Sequence, residues 1–289
     1  MIVDLVSTNN KEGVRLDGAF FAPPAGAEGL GPVDAVLLIH GSRGNFCDPT
    51  TKGMADDLRG QGYACLALNT TAHDTVWSNA ADGAYFGNAF EVLDRTRSDL
   101  RAGVDYLWGA GYRGIALLGH SMGAVRVAYY AAVEGDERAT AVIPVSPVRL
   151  SHSYYLASKD AEEFRSILER AQELEAEGRS QELISAGFPI RQLFSAASYL
   201  DKHGPAERYN LVKLAPRIKM PMFVVSGSLE THTRLRDMAR DLALAAVNSP
   251  KVECVIIEGG EHSLSNRRAE AAAAVSGWLA SLSHQRVGV

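Results

Sequence analysis

The segment Gly119-His120-Ser121-Met122-Gly123 sets a serine between two glycines, each two residues away. The apolar run Ile115 to Leu118 lies directly before it, and a helical pattern begins directly after it. A serine on such a tight strand-to-helix turn is held in a strained conformation that lifts its hydroxyl above the sheet edge. The flanking glycines let neighbouring backbone approach without a Cβ clash. The first amides of the following helix favour negative charge developing beside that hydroxyl. The chemistry that suits this arrangement is attack on a carbonyl carbon. A serine hydroxyl is a weak nucleophile at neutral pH, so it needs a base, and the base needs a partner that fixes its tautomer and stabilises its cation. A bare G-x-S-x-G pattern also occurs in ordinary turns; the strand before it and the helix after it favour the catalytic reading.

The elements that must position these groups are legible in the apolar pattern. Short, nearly continuous apolar runs occur at Ala35 to Ile39, Tyr63 to Leu68, Ile115 to Leu118, Ala141 to Val145, Met222 to Val225 and Val252 to Ile257. Runs of that kind predict strands buried on both faces, as in a parallel sheet covered by helices. Leu93, Leu100, Val104 and Leu107 share one face of a segment that otherwise carries Arg95, Arg97, Asp99 and Arg101, which predicts an amphipathic crossover helix. Met122 to Val133 and Leu235 to Val247 read in the same way. Upstream, Ile2 to Val6 and Val14 to Phe21 predict an antiparallel pair around the turn-rich Asn9 to Gly13. Strands alternating with helices imply an α/β fold with a doubly wound, mostly parallel sheet. From Val148 to Leu214 the alternation stops, and Phe164, Ile167, Leu168, Ala171 and Leu174 recur at helical spacing among glutamates. The expectation is a core made of residues 1–147 and 215–289, with 148–214 inserted as a helical cap.

The run Leu37-Leu38-Ile39-His40-Gly41-Ser42, taken with Gly119 to Gly123, resembles the α/β-hydrolase superfamily over most of the chain outside the insertion. That resemblance implies that the loop after His40-Gly41 supplies one oxyanion donor and the residue after the nucleophile the other, here the backbone N–H groups of Ser42 and Met122. His40 and His120 fall at motif positions that look structural. The resemblance also implies an acid and then a histidine, each just beyond a later strand. After Met222 to Val225, Ser226-Gly227-Ser228-Leu229-Glu230 resembles the loop in which an acid follows a glycine by three residues, with glutamate in place of the commoner aspartate. Glu230 could instead cap the next helix, and Asp237 is its rival, although it falls inside the predicted helix. After Val252 to Ile257, His262 in Glu258-Gly259-Gly260-Glu261-His262-Ser263 completes the order serine, acid, histidine.

These residues imply a serine hydrolase acting on a carboxylic ester or thioester through an acyl-enzyme, with Ser121 as nucleophile, His262 as base and Glu230 as the orienting acid. The same three residues also serve carbon–carbon bond hydrolysis or acyl transfer, and a binding protein on this scaffold would be expected to have lost one of them. No step calls for a metal or organic cofactor. His73, His152, His203, His232 and His284 show no metal-ligand spacing, and His232 is expected to belong to the helix after Glu230. Tyr154, Tyr155, Phe188, Phe194 and Tyr199 could wall an apolar acyl or aryl pocket or simply pack the insertion. Arg43 could meet a substrate carboxylate or remain a solvated loop charge.

The composition narrows the partners. The 29 basic and 34 acidic residues give a net charge of -5 and are scattered, with no basic block to follow a phosphate backbone. The expected partner is therefore a small-molecule substrate rather than nucleic acid or membrane. Met1 to Val6 lacks the pattern of a signal peptide and no apolar stretch reaches a membrane span, so a cytoplasmic location is expected. Three cysteines, Cys47, Cys65 and Cys254, form no CxxC pair; Cys65 and Cys254 read as reduced core residues, and Cys47 as a structural loop residue.

Overall fold

The computed structural model describes residues 3–27 and 31–282. Eight strands form the main sheet: β1 (Asp4–Asn9), β2 (Arg15–Phe21), β3 (Ala35–Ile39), β4 (Ala64–Leu68), β5 (Ile115–His120), β6 (Ala139–Val145), β7 (Met222–Gly227) and β8 (Val252–Ile257). Their order across the sheet is β1-β2-β4-β3-β5-β6-β7-β8. From β4 to β8 every pairing is parallel, while β1 and β2 are antiparallel to their neighbours. All six predicted parallel strands form. The Ile2 end of the predicted first strand lies outside the described residues. β1 runs on to Asn9, because its register with β2 continues from Asp4↔Phe20 to Asn9↔Arg15.

The continuous apolar runs arise because alternate side chains enter two different cores. Along β3, Ala35, Leu37 and Ile39 join one cluster with Leu100, Val104, Val125 and Leu242, contributed by α2 (Thr96–Gly109), α3 (Met122–Val133) and α8 (Met238–Ala245). Val36 and Leu38 face the other way, toward Met54, Leu58, Val275 and Leu279 of α1 (Pro49–Gly60) and α9 (Arg268–Ala280). The Asp48 carboxylate caps α1 by accepting from the Thr50 amide, and Pro49 occupies its first turn.

Two departures from expectation have local causes. Helix α8 starts at Met238 rather than Leu235, because Asp237 has φ 61° and the residues before it form successive turns. His232 and Asp237 therefore precede the helix instead of lying within it. Segment 148–214 is not purely helical. Besides α4 (His152–Leu156), α5 (Ala161–Ala176), α6 (Ala196–His203) and α7 (Leu211–Leu214), it holds an antiparallel hairpin of Leu183–Ala186 with Gln192–Ser195. Its strands are four residues long and partly exposed, so they leave no buried apolar run in the sequence. The segment has its own core, in which Tyr155, Phe164, Leu168, Leu174, Phe188, Phe194 and Tyr199 pack together.

Candidate active site

Ser121 stands at the carboxyl end of β5 with φ 57° and ψ -117°, backbone angles that L-residues rarely adopt. The turn holds because its amide donates to Val145 O of the neighbouring strand at 2.9 Å and because the backbones around it touch. A Cβ on Gly119 would lie 2.1 Å from Gly123 O, and one on Gly123 would lie 2.2 Å from Ile39 O. Only glycine fits at either position, which is the physical content of the motif.

The predicted acid and base arrive on the loops after β7 and β8. Those loops lie against one another: the Leu229 amide donates to Gly260 O at 3.0 Å, and a Cβ on Gly227 would be 2.2 Å from that same oxygen. The result is a continuous chain of contacts. His262 Nε2 is 3.0 Å from Ser121 Oγ, and His262 Nδ1 is 2.9 Å from Glu230 Oε1. The second carboxylate oxygen of Glu230 accepts from Ser226 Oγ at 2.5 Å. Because a carboxylate only accepts, the Nδ1–H belongs to the bond with Glu230, leaving Nε2 free to take a proton from serine. Glu230 is 9% exposed, while the His262 side chain retains 36%, so the acid is enclosed and the imidazole remains open to solvent. Asp237 is exposed and lies 3.8 Å from Arg236 and 3.7 Å from Arg240, an arrangement of surface ion pairs apart from His262.

The predicted oxyanion loop passes over the serine. A Cβ on Gly41 would lie 3.2 Å from Ser121 Cβ, and neither the Ser42 nor the Met122 amide has an acceptor among the described residues. His40 and His120 serve as fixtures. Buried His40 donates from Nδ1 to Gly41 O at 2.9 Å and accepts at Nε2 from the Thr70 amide at 3.2 Å. Burial, aided by the Arg126 charge, lowers its pKa to about 3, so it is neutral. His120 donates from Nε2 to His262 O at 2.8 Å, and burial, then the nearby His262, lowers its pKa to about 4.

A buried ion cluster supports this loop and was missed in the sequence. Glu91 is paired with Arg126 Nε of α3 at 2.7 Å and with Lys202 Nζ of α6 at 2.7 Å. A second arm of Arg126 donates to His40 O at 2.8 Å. Burial alone would raise the Glu91 pKa, but the two cations outweigh it and hold the carboxyl at about 2. The signal was present: Arg126 is the single charge in the apolar run Met122 to Val133.

The remaining expectations divide. Tyr155, Phe194 and Tyr199 lie fully buried and Phe188 nearly so, and their rings pack on one another, with Tyr155 and Phe188 centroids 4.9 Å apart and Phe194 and Tyr199 5.3 Å apart. Tyr154 is partly exposed, with the Arg149 guanidinium 4.1 Å above its ring. Arg43 is exposed with φ 59°. Cys47 is exposed, Cys65 buried and Cys254 intermediate, and all three are free thiols. Burial raises the pKa of Cys65 and Cys254. His284 lies outside the described residues. Among the described residues no cluster of three or more His, Cys, Asp or Glu side chains could hold a metal ion, and no helix is long and apolar enough to cross a membrane.

The sequence profile of the alpha/beta hydrolase family matches residues 36–275, from β3 through α9. The chain belongs to the alpha/beta hydrolase family. Solved structures share the family fold at low identity. Est1E from Butyrivibrio proteoclasticus aligns with TM-score 0.65 and 16% identity, covering 95% of this chain and 97% of that one. The Pyrococcus furiosus esterase Pf2001 aligns with TM-score 0.61 and 18% identity over 96% and 90%. The alpha/beta hydrolase GrgF from Penicillium sp. sh18 aligns with TM-score 0.66 and 17% identity over 96% and 100%. No curated protein matches the chain significantly. Within the alpha/beta hydrolase fold, the ends of β5, β7 and β8 carry the three side chains brought together here.

Proposed function

We propose that the protein hydrolyses carboxylic esters or thioesters through an acyl-enzyme, with Ser121 as nucleophile, His262 as general base and then acid, and Glu230 as the group that orients the imidazole. The observation that carries this reading is the unbroken line from Ser121 Oγ through His262 to Glu230, with contacts of 3.0 and 2.9 Å. His262 Nε2 takes the Ser121 proton as Oγ bonds to the carbonyl carbon, and the carbonyl electron pair moves onto its oxygen. The Ser42 and Met122 amides, both without an acceptor among the described residues, receive that oxyanion. As the tetrahedral species collapses, the imidazolium returns its proton to the leaving alkoxide or thiolate. Water, deprotonated by the same Nε2, then attacks the acyl carbon and releases the acid and free serine. Every proton is carried by His262, so the sequence closes with the chain's own groups.

Segment 148–214 acts as the cap over this site, with α6 tied to the core through Lys202 and Glu91. Two structural neighbours carry esterase names, and a third, Est1E, is described with ferulic acid bound; these support an ester as the substrate class. The test is a short-chain aryl ester assay on the parent and Ser121→Ala, with labelling by an organophosphonate. Turnover and labelling should both vanish in the variant. A parent protein that neither labels nor turns over esters, or a Ser121→Ala variant that retains turnover, would refute the reading.

A further inference from the structure

Among the described residues Arg234 has no ion-pair partner. It is 5% exposed and sits four residues beyond Glu230, in the turns before α8. Its backbone is fixed, with the amide donating to His232 Nδ1 at 3.1 Å and the carbonyl accepting from the Arg149 amide at 2.8 Å. Its guanidinium makes no ion pair or hydrogen bond with any described residue, and Nε is fully buried without a partner. The other buried cationic side chains, Arg126, Lys202 and Arg149, pair with Glu91 or Asp241. Burying a charge is expensive unless it is paired, so an arginine left alone in an interior is an expectation of a partner not yet present.

The surroundings sharpen that expectation. Arg234 lies within electrostatic reach of Tyr155, Arg43 and Glu91. The Tyr155 hydroxyl is already committed to Arg149 O, and both oxygens of Glu91 are held by Arg126 and Lys202. His203 is buried nearby with Nδ1 unpartnered, and burial together with the Arg234 and Lys202 charges keeps it neutral. Arg43 directly follows Ser42, so the second cation comes from the oxyanion loop while Arg234 comes from the acid loop. Glu91, with its two oxygens already on Arg126 and Lys202, thus leaves Arg234 unpaired.

We infer that the ester substrate carries a carboxylate, which docks bidentately on Arg234 with Arg43 as the outer member of the pair. This rests on the ester-hydrolase reading and adds the substrate class to it. A planar guanidinium with free donors matches a carboxylate in a way a neutral acyl chain cannot, and leaving those donors buried and empty penalises the neutral ester.

The experiment compares two matched ester pairs. Aryl hydrogen adipate against aryl methyl adipate places the charge on the acyl side; carboxymethyl pentanoate against its methyl ester places it on the alcohol side. Rates are corrected with Ser121→Ala, and kcat/KM ratios are read in the parent, Arg234→Lys and Arg234→Met. The parent should prefer one charged ester by roughly tenfold to a hundredfold. Arg234→Met should bring that ratio to about one, and Arg234→Lys should leave it intermediate, since a lysine keeps the charge but not the fork. Because each ratio is internal to one protein, a general loss of stability cancels, and the lysine variant serves if the methionine variant does not fold. A parent that turns over the neutral esters at least as well, or a preference unchanged in both variants, overturns the carboxylate inference while leaving the esterase reading intact. Absence of all ester turnover and of phosphonate labelling overturns the esterase reading instead.

Discussion

The strain at Ser121 makes a prediction in which loss of activity and gain of stability go together. At φ 57° and ψ -117° a residue with a Cβ pays about 1–3 kcal/mol, and glycine escapes that cost. Glycine also loses more chain entropy on folding, by about 0.5–1 kcal/mol relative to alanine. Taking middle values, Ser121→Gly should exceed Ser121→Ala in stability by ~1 kcal/mol. The lost contact of one Cβ near Gly41 reduces this by at most about 0.8 kcal/mol, the worth of one buried CH2 group. Comparing the two variants with each other removes the hydroxyl from the difference, since neither retains the bond to His262. The assay is urea unfolding at equal m-values, with thermal unfolding alongside, where ~1 kcal/mol corresponds to roughly 2 °C for a chain of this size. Ala273→Gly on the exposed face of α9 is the control, because at an ordinary helical position the same change should cost about 1 kcal/mol. If Ser121→Gly is no more stable than Ser121→Ala while the control behaves, the backbone stores no strain there and the account of the motif is wrong.

Glu230→Gln keeps the shape of the acid but removes the charge that stabilises the imidazolium, and it should lower kcat on the order of 10³- to 10⁴-fold with KM little changed, measured by steady-state ester hydrolysis. Glu91→Gln leaves Arg126 and Lys202 buried around a neutral group and should cost ~3–5 kcal/mol in chemical denaturation. The same change should flatten the acid limb of stability. The folded pKa of Glu91, about 2, lies below the ordinary carboxyl value of about 4.3, so its contribution is complete above about pH 5 and lost as pH falls toward 2. The parent-minus-variant difference in unfolding free energy should therefore shrink across that window; a constant difference would contradict the pairing.

What the sequence revealed and what it concealed follow from range. The parallel strands were legible because their side chains face cores on both sides of the sheet, nearly fully buried in β3 to β7 and only partly in the edge strand β8, and Gly119 and Gly123 were legible because a strand-to-helix turn needs them at fixed spacing. The hairpin of Leu183–Ala186 with Gln192–Ser195 was not, since its strands are short and partly exposed. The start of α8 was missed because Asp237 takes up a left-handed conformation in a segment whose apolar spacing still looks helical. The aromatic residues of segment 148–214 were legible as apolar, but whether they face a ligand or one another depends on how α4, α5 and α6 meet. In the structure they meet through Tyr155, Phe164, Phe188 and Tyr199. Arg234 is the clearest case of hidden information. In sequence it is one of several arginines before a helix, and only its enclosure without a carboxylate distinguishes it from Arg236 and Arg240, which lie exposed beside Asp237.

The Glu91 cluster links parts that chain order keeps far apart. Lys202 belongs to α6, Arg126 to the helix that begins beside Ser121, and Arg126 also holds His40 O at the base of the loop that carries Ser42. A shift of α6 away from the core would leave Glu91 with one cation instead of two, and Arg126 would then be free to follow the carboxylate or stay with His40. Buried charges resist such intermediate states because each unpaired form is costly, so the cluster favours one arrangement of segment 148–214 over a continuum of them. Arg234 works in the opposite sense. Its unmet charge makes the empty site less stable than the filled one, so an anionic substrate would gain affinity from relieving a cost that the folded chain already bears.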